Sequence, residues 1–347
     1  MFILLFVIVG IISVLGNILV IFIIRKSKEL RHSQYVYKSS IAVADIMWGF
    51  TISYVFLHQC FFIFRKDIDT NKFFKFNIKT SYSKKSDLII YHYKTNISYL
   101  ELTSYNYGSI FFAIMLIFVY FVMPITIFVS IITLVFSTVD RYCALTFPFI
   151  YKSKNTRRLA KIISTLIWVT ITFLYILFIR FVSRTELYSP FHNFILQPCL
   201  RCTTESKMQK FNMIVIFVSF FLLWVLTILT LVSLRKNYEK SKTLNRRAQE
   251  AFAAEKQMSV ILIVMVFAFT FSLLPTMYNY IYSTFFKSNL DYMFFGRHTL
   301  SNFIYASFLA TNSIWNVIIY NVFNKNFRVA FMKLFKSTFK CFNDSKS

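Results

Sequence analysis

Glycine, proline and cysteine are all scarce in this chain, with five of each in 347 residues. The glycines form no phosphate-binding loop and the cysteines show no zinc-finger spacing, which excludes those motifs. Acidic residues are scarce too, because 14 Asp and Glu accompany 39 Lys and Arg, for a formal net charge of +25. That charge would suit nucleic acid, but the basic residues flank hydrophobic segments, where they would meet lipid headgroups. We therefore expect membrane lipid, and no nucleic acid, among the partners.

Hydrophobic residues are abundant instead. They make up 57% of the chain, whereas soluble proteins contain about 45–50%. They are concentrated in segments that each reach the roughly 20 residues a helix needs to cross a bilayer. We therefore predict an all-α, polytopic membrane protein, with a seven-transmembrane-helix bundle over residues 1–323 and a cytoplasmic amphipathic helix and tail over 324–347. The predicted segments are 2–24, 39–64, 109–138, 159–181, 211–234, 258–286 and 299–322.

The distribution of basic residues predicts an extracellular N-terminus and a cytoplasmic C-terminus. The first segment has no basic residue before it and is followed by Arg25 and Lys26, so we expect a retained membrane helix rather than a cleaved signal peptide. With this orientation most Lys and Arg residues are cytoplasmic, as the positive-inside rule requires. Asn96, in an Asn-Ile-Ser tripeptide of the long loop after the second segment, is then extracellular and a candidate for glycosylation.

Asp45 is the carboxylate that falls in the middle of a predicted segment. An acid at mid-membrane costs about 2.5–3.5 kcal/mol on insertion scales and is usually functional. Polar side chains of three other segments reach about the same depth, given the rise of a helix; they are Asn17, Ser130, Asn312, Ser313 and Asn316. Their oxygens suit a small hard cation, but they would equally form a structural polar network.

A second charged cluster is predicted where the third segment ends and the sixth begins. Asp140-Arg141-Tyr142 follows the third segment, and Glu255 precedes the sixth at the same level. Arg141 and Glu255 would join the two helices, which is a strong contact only where it is shielded from water. The alternative is that these are ordinary interfacial charges near headgroups.

The tail carries apolar residues at helical spacing, with basic residues between them. This pattern predicts an interfacial helix on the inner leaflet, although a disordered basic tail is the alternative. Cys341 is a candidate for palmitoylation. The apolar residues are Phe327, Phe331, Leu334 and Phe335, and the basic residues are Lys325, Arg328, Lys333 and Lys336.

Several motifs resemble those of rhodopsin-like (class A) G-protein-coupled receptors. Each is weak alone, but together they keep the family's order over nearly the whole chain. They are Gly16-Asn17 with Val20, Ile41-Ala42-Val43-Ala44-Asp45, Asp140-Arg141-Tyr142 with Pro148-Phe149-Ile150-Tyr151, Trp168, Phe269 with Pro275, Asn316-Val317-Ile318-Ile319-Tyr320, and Phe327.

The resemblance implies a plasma-membrane receptor, not an enzyme, that binds an extracellular ligand and activates a heterotrimeric G protein by movement of helix six. It implies no cofactor other than an allosteric sodium ion, at Asp45, Ser130, Asn312, Ser313 and Asn316. It implies that G-protein coupling and the activation switch depend on Asp140, Arg141, Tyr142, Glu255, Pro275 and Tyr320. Pro275 would let helix six bend, because it removes a helical hydrogen bond.

The chain departs from the family pattern at positions that concern switching and disulfide formation. Val317 replaces the proline of helix seven, and Leu273 replaces the tryptophan of helix six. Leu116 stands at the usual helix-three cysteine, so the common disulfide to the second outer loop cannot form. The cysteines left for another pairing on the outer side are Cys60, Cys199 and Cys202.

Two positions narrow the ligand class. Met123 stands where amine receptors have an acid, and Ala310 where retinal proteins have a lysine, so neither a monoamine nor retinal is expected. A peptide or a chemosensory small molecule remains, with an apolar pocket whose candidate contacts are Met123, Met277, Tyr280 and Tyr305.

The rival class is a seven-helix cation-coupled transporter or channel that uses Asp45. Transporters often show internal repeats and helices broken by Gly or Pro. We disfavour this class because no repeat is visible and because Gly and Pro are scarce.

Overall fold

The computed structural model describes residues 2–64, 118–153, 156–184, 202–242, 246–286 and 300–333. The regular structure in these ranges is all helical, which confirms the all-α prediction. A short helix, Pro148–Ser153, lies between the third and fourth long helices, and residues 325–333 form a last helix, α8. The seven long helices are α1 (Phe2–Lys26), α2 (Ser33–Phe64), α3 (Met123–Thr146), α4 (Thr156–Arg184), α5 (Cys202–Ser241), α6 (Arg246–Phe286) and α7 (Leu300–Phe323).

The helices and the predicted segments differ mainly where the chain becomes polar. α2 begins at Ser33 rather than at residue 39, and α6 begins at Arg246 rather than at residue 258. The segments were chosen by hydrophobicity alone, whereas residues 246–257, the added part of α6, are rich in Ala, Arg, Glu and Gln, which favour helix without forming an apolar stretch. The α-helical part of α3 begins at Met123, directly after a π-helical turn at Phe118–Val122, and residues 109–117 of the predicted segment lie outside the described residues.

Five of the long helices are long and apolar enough to span a membrane: α1, α3, α4, α5 and α6. Within the described residues α2 and α7 are not among these five, and both carry buried polar side chains such as Asp45 and Asn316. Of these five helices α3 is the most buried, with 61% of its most apolar stretch buried, whereas only 17% of the corresponding stretch of α4 is buried. The protein is thus a multi-pass membrane protein with α3 at its centre and α4 at its edge.

α1 and α2 pack closely, because two glycines meet at their crossing. A Cβ atom on Gly10 would lie 2.6 Å from the carbonyl oxygen of Gly49, and one on Gly49 would lie 2.8 Å from that of Gly10. Any side chain at either position would collide with backbone. On the opposite side of α1, a Cβ on Gly16 would lie 3.0 Å from Val317 Cγ2, so the residue that replaces the helix-seven proline fills the α1–α7 contact.

Two polar side chains join neighbouring helices near their ends. Trp168 Nε1 of α4 donates to Ser40 Oγ of α2 at 3.1 Å. Asn237 Nδ2 of α5 donates to the carbonyl oxygen of Leu145 at 2.6 Å. That carbonyl lies in the last turn of α3, where carbonyls have no partner within the helix. Asn237 therefore fixes α5 against the end of α3.

α8 begins at a side-chain cap. Asn324 Oδ1 accepts the backbone N–H of Phe327 at 3.1 Å, while Asn324 Nδ2 donates to Tyr35 Oη of α2 at 3.0 Å. Phe327 is buried and Arg328 and Lys333 are exposed, so α8 is amphipathic as far as residue 333. Lys333 also pairs with Glu29 at 2.7 Å. Leu334, Phe335 and Lys336 lie outside the described residues.

Candidate functional site

The end of the bundle at which α3 ends and α6 begins, here the Arg141 end, contains a buried arginine between two acids. Arg141 Nη1 donates to Glu255 Oε2 at 2.5 Å, a contact we call the α3–α6 ion pair. Arg141 Nη2 donates to Asp140 Oδ2 at 3.1 Å and to the Tyr151 hydroxyl at 2.9 Å. The Arg141 side chain is 4% exposed and that of Glu255 is 45% exposed, so the pair opens to the outside on the α6 side.

Asp140 organises the residues around this arginine. Its Oδ2 accepts hydrogen bonds from Ser33 Oγ at 3.0 Å and Gln34 Nε2 at 2.8 Å, both in the first turn of α2. It also accepts from Arg141 and, at 3.0 Å, from the Tyr151 hydroxyl. Hydrogen bonds to an ionised carboxylate are stronger than neutral ones. Asp140 therefore holds α2, α3 and the short helix Pro148–Ser153 together, independently of α6.

Sequence reasoning did not find Ser33, Gln34 or Tyr151 as members of this network. Gln34 is fixed a second time by Ser137, whose backbone oxygen accepts from Gln34 Nε2 at 3.0 Å and whose hydroxyl donates to Gln34 Oε1 at 2.8 Å. Burial raises the pKa of the Tyr151 phenol, although Arg141 lowers it. The phenol therefore stays neutral near pH 7 and can donate to Asp140.

None of the other predicted switch residues is among the hydrogen-bond partners described for Arg141. Tyr142 is half-buried, and Pro275 lies inside α6. Tyr320 of α7 is 1% exposed, and its hydroxyl has no hydrogen-bond partner among the described residues. Its ring lies 6.1 Å from that of Phe327, measured between centroids. Their roles in activation stay predictions.

A small cavity of about 10 Å³ lies beside Asp45 in the middle of the bundle. That volume holds about one water-sized sphere. The Trp48 indole N–H is buried and has no partner in the described part of the chain. The residues that line the cavity are Ala44, Asp45, Trp48, Thr126, Ile127, Ser130, Phe269, Leu273 and Asn312.

Three of the six residues of the predicted polar cluster line this cavity. Asn316 Nδ2 donates to Asp45 Oδ2 at 2.7 Å, and Ser130 and Asn312 line the cavity with Asp45. Ser313 does not line it; its backbone oxygen accepts from Asn17 Nδ2 at 3.1 Å. A carboxylate, a hydroxyl and an amide oxygen thus surround a space of atomic size, a donor set that fits a small hard cation.

The predicted ligand contacts are only partly described. Met123 packs against a buried cluster that includes Trp48 and Ala310, and Met277 belongs to the main core. Several other predicted site residues lie outside the described residues or have side chains outside them, so their roles stay predictions. They are Tyr280, Tyr305, Asn96, Cys60, Cys199, Cys202 and Cys341, together with Leu116.

Three apolar side chains are exposed directly after α3, at the Arg141 end. Phe149 is 89% exposed, Ile150 57% and Phe147 52%. We call them the Phe149 patch. Large exposed apolar patches mark surfaces that contact another protein or a membrane.

Comparison with known families gives a match to the 7 transmembrane receptor (rhodopsin family) over residues 86–320. No curated protein matched the chain. The matched range covers more than half of the chain and contains the described parts of α3–α6 and nearly all of α7, with Arg141, Glu255 and Tyr320. It begins after α2, so Asn17 and Asp45 lie outside it. The chain therefore belongs to the rhodopsin family of seven-transmembrane receptors, as its motifs predicted.

Proposed function

We propose that this receptor binds an extracellular ligand, either a peptide or a chemosensory small molecule, and activates a heterotrimeric G protein. In this proposal the protein lies in the plasma membrane with its N-terminus outside, and the Arg141 end is cytoplasmic. The observation that carries the proposal is the α3–α6 ion pair, in which a buried arginine of α3 is held by a glutamate near the start of α6. Activation moves α6 away from α3 and breaks this pair.

Breaking the ion pair leaves Arg141 with other partners. Asp140 and Tyr151 both stay bonded to Arg141 Nη2 when Glu255 leaves. Surface pairs contribute about 0–1 kcal/mol, whereas removing one partner of a buried pair costs about 3–5 kcal/mol. Because Glu255 is 45% exposed and Arg141 keeps its other partners, we assign the pair about 1 kcal/mol. A ligand with a modest preference for the open state can overcome a difference of that size.

The Phe149 patch supplies a docking surface for the G protein. Aromatic side chains that insert into a partner's pocket commonly dominate the binding energy of protein interfaces. Phe149 follows α3 closely in sequence, and Tyr151 of the same short helix is bonded to Asp140 and Arg141. A partner that binds Phe149 would therefore contact the segment that also holds the buried arginine.

We also propose that the cavity beside Asp45 binds a sodium ion. Asp45, Ser130 and Asn312 would hold the ion, which would neutralise the carboxylate and connect α2, α3 and α7. The Trp48 indole N–H instead favours a water molecule in the same space, because it can donate but cannot bind a cation. Sodium titration of the purified protein decides between these two occupants.

The test of the receptor proposal is nucleotide exchange on purified heterotrimeric G proteins by the protein in lipid nanodiscs. A panel of peptides and odorants is screened, and at least one ligand is expected to accelerate exchange. Arg141→Ala, matched for the amount of folded protein, is expected to lose that acceleration.

The rival transporter function is tested in parallel by cation flux into liposomes. Flux that Asp45→Asn abolishes, together with no exchange on any G protein, would replace the receptor proposal with the transporter. The two assays use the same purified protein, so a negative result in the exchange assay can be compared directly with the result of the flux assay, and the reverse.

A further inference from the structure

Lys38 is a buried basic residue for which the proposed function has no role. It lies in α2, nearer to the Arg141 end than Asp45, and is 3% exposed. Its Nζ has no hydrogen-bond partner among the described residues. Lysine is almost never fully buried unless it is paired, because its ammonium loses its hydration. An unpaired lysine in the interior therefore requires an explanation.

Two tyrosine rings lie against the Lys38 ammonium. Its Nζ is 4.9 Å from the ring centroid of Tyr35 in α2 and 4.9 Å from that of Tyr320 in α7. Both distances fall within the roughly 6 Å over which a cation–π attraction acts. Lys38 thus contacts the tyrosine that the family resemblance assigns to the activation switch.

These rings do not replace the water that the ammonium has lost. Each cation–π attraction is weaker than the cost of withdrawing an ammonium from water. The closed bundle is therefore less stable with Lys38 than with an apolar side chain of the same length. Any opening that brings water or an anion to Lys38 gains free energy relative to the closed bundle.

The charges around Lys38 identify the kind of anion. Arg141 is near enough for its charge to act on Lys38. Arg141 is bonded to the carboxylates Asp140 and Glu255, whereas Lys38 has no carboxylate partner among the described residues. When Glu255 moves away with α6, Arg141 keeps Asp140 and Lys38 still has none. A carboxylate brought by a partner would restore the balance.

We propose that Lys38 binds a carboxylate of the cytoplasmic partner protein once α6 has moved away, and that its burial in the closed bundle favours this opening. The inference rests on the proposed function, because it requires a partner at the Arg141 end. It assigns to Lys38 a contact with the partner that is separate from the α3–α6 ion pair. An acidic side chain or a chain terminus of the partner would supply the carboxylate.

The first test is thermal unfolding of the purified, ligand-free protein, which needs no partner. Lys38→Met replaces the ammonium with an apolar group of similar length, and we expect it to raise the unfolding midpoint. Lys28→Met, at an exposed lysine of the turn before α2, is the matched control and should leave the midpoint unchanged. A lower midpoint for Lys38→Met would show that the cation–π contacts hold the closed bundle together, and would overturn the inference.

The second test is the affinity of purified heterotrimeric G proteins for the ligand-activated receptor. We expect Lys38→Met to weaken binding by about tenfold or more, while Lys38→Arg retains most of it. One Asp→Asn or Glu→Gln variant of the partner should show the same loss, and combining it with Lys38→Met should add nothing further. Equal affinity for wild type and Lys38→Met would overturn the carboxylate contact.

The two tests separate the inference from the function on which it rests. A wild type that stimulates no exchange on any G protein overturns the proposed function, and the carboxylate contact with it. The thermal comparison still decides whether burial of Lys38 destabilises the closed bundle.

Discussion

Replacement of Glu255 by alanine is expected to raise ligand-independent nucleotide exchange. Glu255 Oε2 lies 2.5 Å from Arg141 Nη1, and the glutamate side chain is 45% exposed, so solvent screens part of the attraction. Arg141 keeps Asp140 and Tyr151, and no unpaired charge is left behind. Loss of about 1 kcal/mol from the closed state raises the ratio of active to inactive receptor about fivefold.

The assay is basal exchange on a purified G protein, with each variant in nanodiscs at the same amount of folded receptor. Glu250→Ala is the matched control, because Glu250 lies in the same helix and pairs with Arg246 in an exposed i,i+4 contact. It should leave basal exchange unchanged. Arg141→Ala should reduce both basal and ligand-stimulated exchange, since the family resemblance assigns this arginine to G-protein coupling.

If the wild type responds to ligand and Glu255→Ala shows the same basal exchange as wild type, then the α3–α6 ion pair does not restrain α6. Equal basal and stimulated exchange in wild type, Glu255→Ala and Arg141→Ala would count against the receptor proposal as well.

Three further predictions concern other parts of the chain. Asp45→Asn should remove any dependence of thermal stability on NaCl relative to choline chloride; a dependence that persists would place the sodium effect elsewhere. Gly10→Val should lower stability by about 1–3 kcal/mol in thermal unfolding, because its Cβ would lie 2.6 Å from the Gly49 carbonyl oxygen, whereas Ile11→Val at an exposed position of α1 should not. Asn96→Gln should increase mobility on a denaturing gel if that loop is extracellular, and unchanged mobility after expression in glycosylating cells would contradict its use as an acceptor.

The long helices could be predicted because each contains a continuous apolar stretch. The ends of the helices could not be predicted, because the residues there favour helix without being hydrophobic. α2 begins with polar residues, so Lys38 fell just outside the predicted segment 39–64, among the basic residues that flank the segments. Only the packing of α2 against α7 shows that this lysine is buried between two tyrosines.

The candidate site was predictable where depth alone brings residues together. Arg141 and Glu255 fall at the same level of two helices, and Asp45, Ser130 and Asn312 fall at another. Depth does not specify rotation about the helix axis, which is why Ser313 was included although it does not line the cavity. The partners of Asp140 in α2 were missed for a different reason, since isolated polar residues at a helix start carry no periodic signal.

The contrast in burial between α3 and α4 affects how this sequence can vary. Lipid tails accept any apolar side chain of suitable size, so the outward positions of α4, such as Leu166, Val169 and Phe173, are constrained in polarity but not in shape. Side chains of α3 meet other helices on most sides and are constrained in shape as well. We therefore expect substitutions to accumulate in α4 among distant relatives while α3 changes slowly. The ancestry of this receptor is consequently recorded in its central helix far better than in its peripheral one.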